Sequence, residues 1–372
     1  MPIYKMNGKK NGQQKYRVRI NYNDSAGNHR QITRIAYGNA EARNLEATLL
    51  KQVKETPATS RMTMQELYNE YTAAKKHEVR ETSLLKTKNR LEHHVLPYCR
   101  NMQLEKIDAA MLTKWKNTLS ESKLAVSTRR GIFGEFRAML NFAVRTGRLS
   151  RNPLSLVGNF KNAYEINHQE RLQYYTPDEF KKYIACARKS ASTITEWGYF
   201  VFFAIAYFTG ARKGEINALK WSDIDGDFLH IRRSITQKLK GGDKETPPKN
   251  KTSYRSLQMP LPLIRILAEH KERQKEIKYF TEDFRICGGP NCLRDTSIDQ
   301  ANRRFAKAAG LPRIKIHDFR HSHASFLANE GINIQEIARR LGHSKIEITW
   351  NTYAHLYPRE EERAVKVLNT VI

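Results

Sequence analysis

The chain has 372 residues, 65 Lys and Arg against 38 Asp and Glu, and a net charge of +27. Such an excess argues against an ordinary metabolic enzyme and for a polyanionic partner, nucleic acid before an anionic membrane. The longest apolar stretch, residues 199–208, is about half of the ~20 residues that a bilayer span needs, no apolar segment follows Met1, and the four cysteines (Cys99, Cys186, Cys287, Cys292) form no CxxC pair, which points away from a membrane span, a secretory leader, a zinc site or a disulfide scaffold and toward the cytoplasm.

The basic residues are spread along the chain. Lys and Arg number 11 against 4 acidic residues over 1–57, 19 against 10 over 58–165, and 35 against 24 over 166–372. Three successive basic segments are what three phosphate-contacting domains would produce.

In residues 1–38, Tyr16, Val18, Ile20 and Tyr22 alternate with Arg17, Arg19 and Asn21, the pattern of a half-buried strand with a basic face. Asn23 to Asn28 has turn chemistry, a second strand is expected over Gln31 to Tyr37, and a third over Ile3 to Met6. Asn39 is placed to cap a helix carrying Ala42, Leu45, Leu49 and Val53 on one face. The first predicted domain, 1–57, is therefore a small sheet plus a helix, and residues 56–61 read as a linker. Thr63 and Glu66 have the spacing of a capping box. Helices are expected near 82–94, 108–121 and 127–146, the last with Ile132, Phe133, Phe136, Leu140 and Val144 on one side and Gly147 at its end. Residues 58–160 are thus predicted to be an all-helical domain, with a linker from Pro153 to Tyr175.

Thr176-Pro177-Asp178-Glu179 opens the third predicted domain, 170–372, with an N-cap, a proline at the first helical position and a capping-box glutamate. Phe200 to Phe208 reads as a buried helix ended by Thr209-Gly210, and Lys213 to Trp221 as a short helix. Leu229, Ile231 and Ile235 suggest one strand; Leu257, Met259 and Leu261 suggest another. A polar loop, Lys238 to Tyr254, joins them, and the chain is mostly helical from about Leu263. The expected fold class is multidomain and mainly α: an N-terminal β-sheet plus helix, an all-α domain, and a mixed α domain with a small β-sheet.

Several residues of the third domain stand out chemically. Arg212 sits in TGARKGE between two helices. Lys249 and Lys251 lie in the loop. His317 and Arg320 are three apart at a helix start, on one face. His343 follows Leu341-Gly342, and Tyr353 lies ten residues further on, in WNTYAHLY. Two arginines can grip a phosphodiester and neutralise its developing charge. Histidines can donate to the same oxygens or move protons, a lysine can protonate a leaving alkoxide, and a tyrosine can attack phosphorus. Such a set cuts DNA without metal or cofactor and stores the bond energy for resealing.

In order and spacing, Arg212, a loop lysine, His317-x-x-Arg320, Gly342-His343 and Tyr353 resemble the tyrosine recombinases, and the sheet-plus-helix unit looks like the arm-binding domain of lambda-type integrases. The resemblance implies a site-specific DNA recombinase working through a 3′-phosphotyrosine. Tyr353 would be the nucleophile, with Arg212 and Arg320 on the non-bridging oxygens. His317 would assist proton transfer, His343 would hydrogen-bond the phosphate, and Lys249 would be the general acid, with Lys251 its competitor because Asn250 stands where the family usually has threonine. Glu215 would pack near the first arginine in a structural role. His321 and His323 read as structural or DNA-adjacent, Trp350 and Ile348 as core or interface. The resemblance further implies double-stranded DNA partners with core-type and arm-type sites, a homotetramer acting through a Holliday junction, an excisionase, a DNA-bending host protein and association with the nucleoid of a bacterial host.

Two other classes compete. Residues 334–353 also scan as a helix-turn-helix regulator, but His343 is a poor core residue for that turn, and this reading leaves Arg212, Lys249, His317 and Arg320 unexplained. A type IB topoisomerase would share the tyrosine chemistry without needing a separate arm-binding domain.

Overall fold

The computed structural model describes residues 3–10, 12–23, 29–55, 62–161, 172–237, 239, 242–247, 251–357, 365, 368 and 369. The chain forms two compact units, Met1–Ile166 and Asn167–Ile372.

In the first unit, β1 (Ile3–Lys10), β2 (Gln13–Asn23) and β3 (His29–Tyr37) form an antiparallel sheet in chain order. Strand alternation places Val18 and Ile20 of β2 with Ala36 of β3 on one buried face, and α1 (Asn39–Glu55) covers it with Ala42 and Leu49. The other face carries Arg17, with Tyr4 of β1 and Ile35 of β3 as its cross-strand neighbours, and Arg19 opposite Thr33.

A separate core lies in the helices α2 (Met64–Glu78), α3 (Glu81–His94), α4 (Leu96–Cys99), α5 (Ala109–Glu121) and α6 (Val126–Arg145). The expected capping box forms: the Thr63 N–H donates to Glu66 Oε2 at 2.7 Å, and the Glu66 N–H donates to Thr63 Oγ1 at 3.3 Å. On α6, Met139 and Ala143 join Ile132, Phe133, Phe136 and Leu140 in the core, while Val144 is only half-buried. Of the linker expected from Pro153 to Tyr175, residues 162–171 lie outside the described residues, and its beginning is corrected. Residues Pro153–Leu156 form a 3-10 turn, and Leu154 and Phe160 are buried in the helical core. These apolar side chains are spaced too irregularly to read as an element, yet they have an apolar surface to cover. The linker expected over 56–61 lies outside the described residues.

The second unit is built around α8 (Ile194–Thr209), which is apolar nearly all round and therefore buried. Packed on it are α7 (Pro177–Ser190), the short α9 (Lys213–Ala218), α10 (Leu261–Lys275) and α12 (Asp318–Asn329); α11 (Asp295–Ala308) lies against α7. The Thr176/Glu179 capping box forms as expected.

Two small sheets complete this layer. One, in the order β4 (Ile224–Asp225), β5 (Phe228–Ile231) and β8 (Arg255–Gln258), is antiparallel; the other is the hairpin of β6 (Ser234–Thr236) and β7 (Lys244–Thr246). The strand expected from Leu229 to Ile235 is therefore two. Arg232 and Arg233 separate them, with Arg233 drawn to Asp223 at 3.0 Å. The second expected strand stops at Gln258, because Pro260 cannot donate to a ladder and Leu261 opens α10. Likewise α9 ends at Ala218, and Trp221 starts a 3-10 turn. The segment expected to be loop from Lys238 to Tyr254 contains β7 and a 3-10 turn at Lys251–Ser253. Finally, α13 (Ile334–Leu341) and α14 (Ile346–Tyr353) pack on each other and on α12. Ile348 and Trp350 of α14 are 48% and 57% exposed, so neither belongs to the core.

Candidate active site

Two left-handed glycines set the floor of the site. Gly210 ends α8 at φ +63°, and Gly342 ends α13 at φ +65°. Residues with a Cβ rarely adopt that backbone. Space forbids one as well: a Cβ on Gly210 would lie 2.8 Å from Leu341 Cδ2 and from His323 Cδ2, and one on Gly342 would lie 3.1 Å from Arg255 Nη1.

Both arginines singled out in the sequence are tied to these turns. Arg320, on the first turn of α12, is 3% exposed. Its Nη1 donates to the Gly210 carbonyl at 2.8 Å and its Nη2 to the Leu341 carbonyl at 2.7 Å. Two of the five guanidinium donors thus orient the group. Burial, then the charges of Arg212 and Arg255, push its pKa down to about 9, so it stays cationic at neutral pH. Arg212 is the N-cap of α9. Its Nη1 donates to Glu215 Oε1 at 2.9 Å, and its Nη2 reaches the Gly342 carbonyl at 3.4 Å.

Glu215 has the structural role expected of it, with a partner that sequence reasoning did not name. Its Oε2 accepts from the Arg212 N–H at 2.9 Å and from Arg255 Nη2 at 2.8 Å. Burial raises its pKa, but the charge and hydrogen bond of Arg255, followed by those of Arg212, outweigh burial and hold the carboxyl below its usual range. Arg255 in turn donates from Nε to the Arg340 carbonyl at 2.7 Å, linking β8 to α13.

The histidines surround the arginines. His343 follows Gly342, half-buried, with Nδ1 2.8 Å from Thr349 Oγ1. Burial and the charges of Arg320, Arg212 and Arg255 push its pKa down to about 4. His317 occupies the N-cap position of α12 without a side-chain cap bond. The protein packed around it, and then Arg320 and Arg212, hold its pKa below 6.5. The His343 ring is therefore neutral at pH 7, with one N–H to give. His323 is buried, Nδ1 2.8 Å from the Tyr207 carbonyl.

Tyr353 is the last residue of α14 and 2% exposed. Burial pushes its phenol up to about 12, with Arg320 acting the other way. Its hydroxyl lies 2.7 Å from His321 Nδ1. That contact was missed in the sequence. The His317-x-x-Arg320 pattern picks out i and i+3, while His321 is the i+4 member of the same helix face; its ring stands edge-on to His317, centroids 5.0 Å apart. Tyr357, by contrast, turns away, donating to the Ile332 carbonyl.

The structure thus gathers Arg212, His317, Arg320, His343 and Tyr353 around the Gly210 and Gly342 turns. Lys249 lies outside the described residues, as does the side chain of Lys251. The end of their loop reaches the site, since the Thr252 carbonyl would lie 3.2 Å from a Cβ on Gly342. The joint between α13 and α14 carries Gly342 and His343 into this cluster, a use that a helix-turn-helix regulator would not make of it. Among the described residues, no three His, Cys, Asp or Glu side chains come together as metal ligands, and no helix is long and apolar enough to cross a membrane.

Comparison with known proteins shows the family. The model of the phage integrase family matches residues 173–360, and that of the phage integrase N-terminal SAM-like domain matches residues 63–120. The ICEBs1 integrase of Bacillus subtilis is 27% identical over 97% of this chain and 98% of that protein. A XerC-like tyrosine recombinase of Caldanaerobacter subterraneus is 29% identical over 75% of this chain and 76% of that protein. Among solved structures, the Tn1549 transposon integrase in complex with transposon right end DNA superposes with a TM-score of 0.64 at 18% identity, covering 84% of this chain and all of that one. A lambda integrase tetramer bound to a Holliday junction gives 0.56 at 17% identity over 97% of each chain. With every described site residue inside the matched span, the chain belongs to the phage integrase family of tyrosine recombinases, enzymes that transfer DNA strands in site-specific recombination.

Proposed function

We propose that Tyr353 is the nucleophile of an integrase that joins and releases a phage or other mobile element. The observation that carries this is the convergence of a buried phenol, two oriented guanidinium groups and two imidazoles around two glycine turns. Arg212 and Arg320 hold the non-bridging oxygens of the scissile phosphate, where their charge offsets that of the transition state. His343 donates to the same phosphate, and His317 donates to it and assists proton transfer. Tyr353 Oη bonds to phosphorus as the P–O5′ bond breaks, giving a 3′-phosphotyrosine and a 5′-hydroxyl. Lys249 protonates the departing oxygen, and the Thr252 contact beside Gly342 supports a loop that reaches the site.

The domain assignment follows. Residues 170–372 carry the catalysis, 58–160 bind core-type sites with them, and 1–57 bind arm-type sites. The Arg17 and Arg19 face of the sheet, opposite α1, supports the last role. Four protomers assemble on double-stranded DNA and exchange strands through a Holliday junction, in a bacterial cytoplasm at the nucleoid, with an excisionase and a DNA-bending host protein setting direction.

The deciding experiment offers wild type and Tyr353→Phe a nicked suicide substrate bearing the core site. Wild type should accumulate a covalent protein–DNA complex and the variant none. An adduct formed by Tyr353→Phe would remove the assignment.

A further inference from the structure

Phenols attack phosphorus as phenolates, so the proton on Tyr353 has to leave, and burial makes that loss harder: the phenol is pushed up to about 12. The proposed machinery places both arginines, His343 and His317 on the phosphate, gives His317 a share in proton transfer, and places the loop lysine on the leaving oxygen. No described hydrogen bond joins Tyr353 to His317. The group in contact with the phenol is His321.

We propose that His321 is a catalytic residue, the base that receives the Tyr353 proton through Nδ1 during cleavage and returns it during resealing; this rests on the assignment of Tyr353 as nucleophile. The geometry is specific. His321 Nδ1 and Tyr353 Oη are 2.7 Å apart, within proton-transfer reach. The base is fixed on α12, in the turn that also carries Arg320, so one rigid element holds both the phosphate ligand and the proton acceptor. Burial, then the nearby His317 ring, hold His321 below its usual pKa, the direction that favours the neutral ring. The groups acting on it are His317, Asp318 and Arg320 from α12 and Tyr353 from α14. The 3-10 turn Ala354–Leu356 also packs on α12, and its His355 is exposed.

The step balances. The Tyr353 proton moves to His321 Nδ1, Oη bonds to phosphorus, P–O5′ breaks, and the leaving oxygen takes a separate proton from the general acid. The new imidazolium stands near the phosphate, whose negative charge stabilises it until the 5′-hydroxyl attacks, giving its proton back to the group that served as general acid. P–O5′ re-forms, P–Oη breaks, and the His321 proton returns to the departing Oη.

The test is single-turnover cleavage of the suicide substrate from pH 5.5 to 9.5 by wild type, His321→Gln and His321→Ala, with core-site binding measured in parallel. Gln retains an acceptor for the phenol but takes no proton at these pH values. We expect His321→Gln to bind core DNA as wild type does and to cleave about 10²- to 10⁴-fold more slowly. Its rate should climb tenfold per pH unit, because hydroxide must then remove the proton, whereas wild type levels off once His321 is neutral. Added imidazole should accelerate His321→Ala. A His321→Gln rate near that of wild type, or a slow rate with the wild-type pH profile, would overturn the proposal by leaving His321 at most a positioning role. One measurement needs no variant: nitrogen-15 shifts of wild type should show His321 Nδ1 unprotonated in the free protein, and a protonated Nδ1 would be equally fatal. Failure of the nucleophile assignment looks different, as an adduct in Tyr353→Phe, whereas a slowed His321→Gln that still forms its adduct on Tyr353 concerns proton removal alone.

Discussion

Glu215 and Arg255 form an ion pair at 2.8 Å with side chains only 4% and 3% exposed. Removing one member of such a pair leaves the other charge buried without compensation, a loss of roughly 3–5 kcal/mol. Glu215→Ala should therefore lower the stability of the second unit by about that much in denaturant unfolding. It should also release Arg212, whose Nη1 loses its carboxylate, so cleavage should fall even where the variant is fully folded. Full activity in a folded Glu215→Ala would show that Arg212 needs no such support.

Gly210 tests the floor of the site from the backbone side. Its φ of +63° and the 2.8 Å approach of Leu341 Cδ2 to a Cβ there mean that Gly210→Ala should cost about 1–3 kcal/mol. Because the Gly210 carbonyl orients Arg320, cleavage should drop more than core-site binding does. Thermal melting and single-turnover cleavage check the two halves separately.

Acid should weaken the second unit through its histidines. His343 is held at about 4 and His270 at about 4, both by burial first. A group whose folded pKa lies below its unfolded value binds more protons when unfolded, so stability rises with pH between the two values. The window runs from about 6.5 down to about 4, and stability is lost as pH falls through it. The melting temperature should decline from pH 7 to pH 5, and replacing His270 with Gln should flatten the decline. An unchanged melting temperature over that range would contradict these assignments.

Much of this was legible in the residues. Capping boxes at Thr63 and Thr176 act within three residues, so local chemistry announces them. The catalytic candidates stood out because each is an unusual residue at a helix or strand boundary. What escaped depended on partners distant in sequence. Leu154 and Phe160 looked like linker until the helical core gave them a surface to cover. Ile235 continued the alternation of Leu229 and Ile231, and only Arg233 turning to Asp223 ends that strand. His321 meets Tyr353 from 32 residues away, and Arg255 meets Glu215 from 40. Neither pairing leaves a mark on local pattern.

The leaving-group acid can be settled by separate Lys249→Ala and Lys251→Ala variants. General-acid catalysis contributes about 10²- to 10⁴-fold, so the correct lysine should cost that much in cleavage of an ordinary phosphodiester. A substrate with sulfur in place of the bridging 5′ oxygen expels a far better leaving group and needs no acid. It should restore the rate of Lys249→Ala and leave Lys251→Ala near wild type throughout. The reverse pattern would transfer the role to Lys251.

The last prediction concerns the charge. Removing residues 1–57 takes away 11 basic and 4 acidic residues, including the Arg17 and Arg19 face, but none of the groups around Tyr353. The shortened protein should still form the covalent adduct on a core site and should lose binding to arm-type DNA. Each phosphate contact releases counterions, so log K falls with log salt at about 0.9 per contact. The full chain on DNA carrying both kinds of site should therefore show a steeper salt slope than the shortened one, while on an isolated core site the two slopes should coincide. Equal slopes on the composite DNA would mean that the sheet face carries no phosphate contacts, and the arm-binding assignment would fall with it.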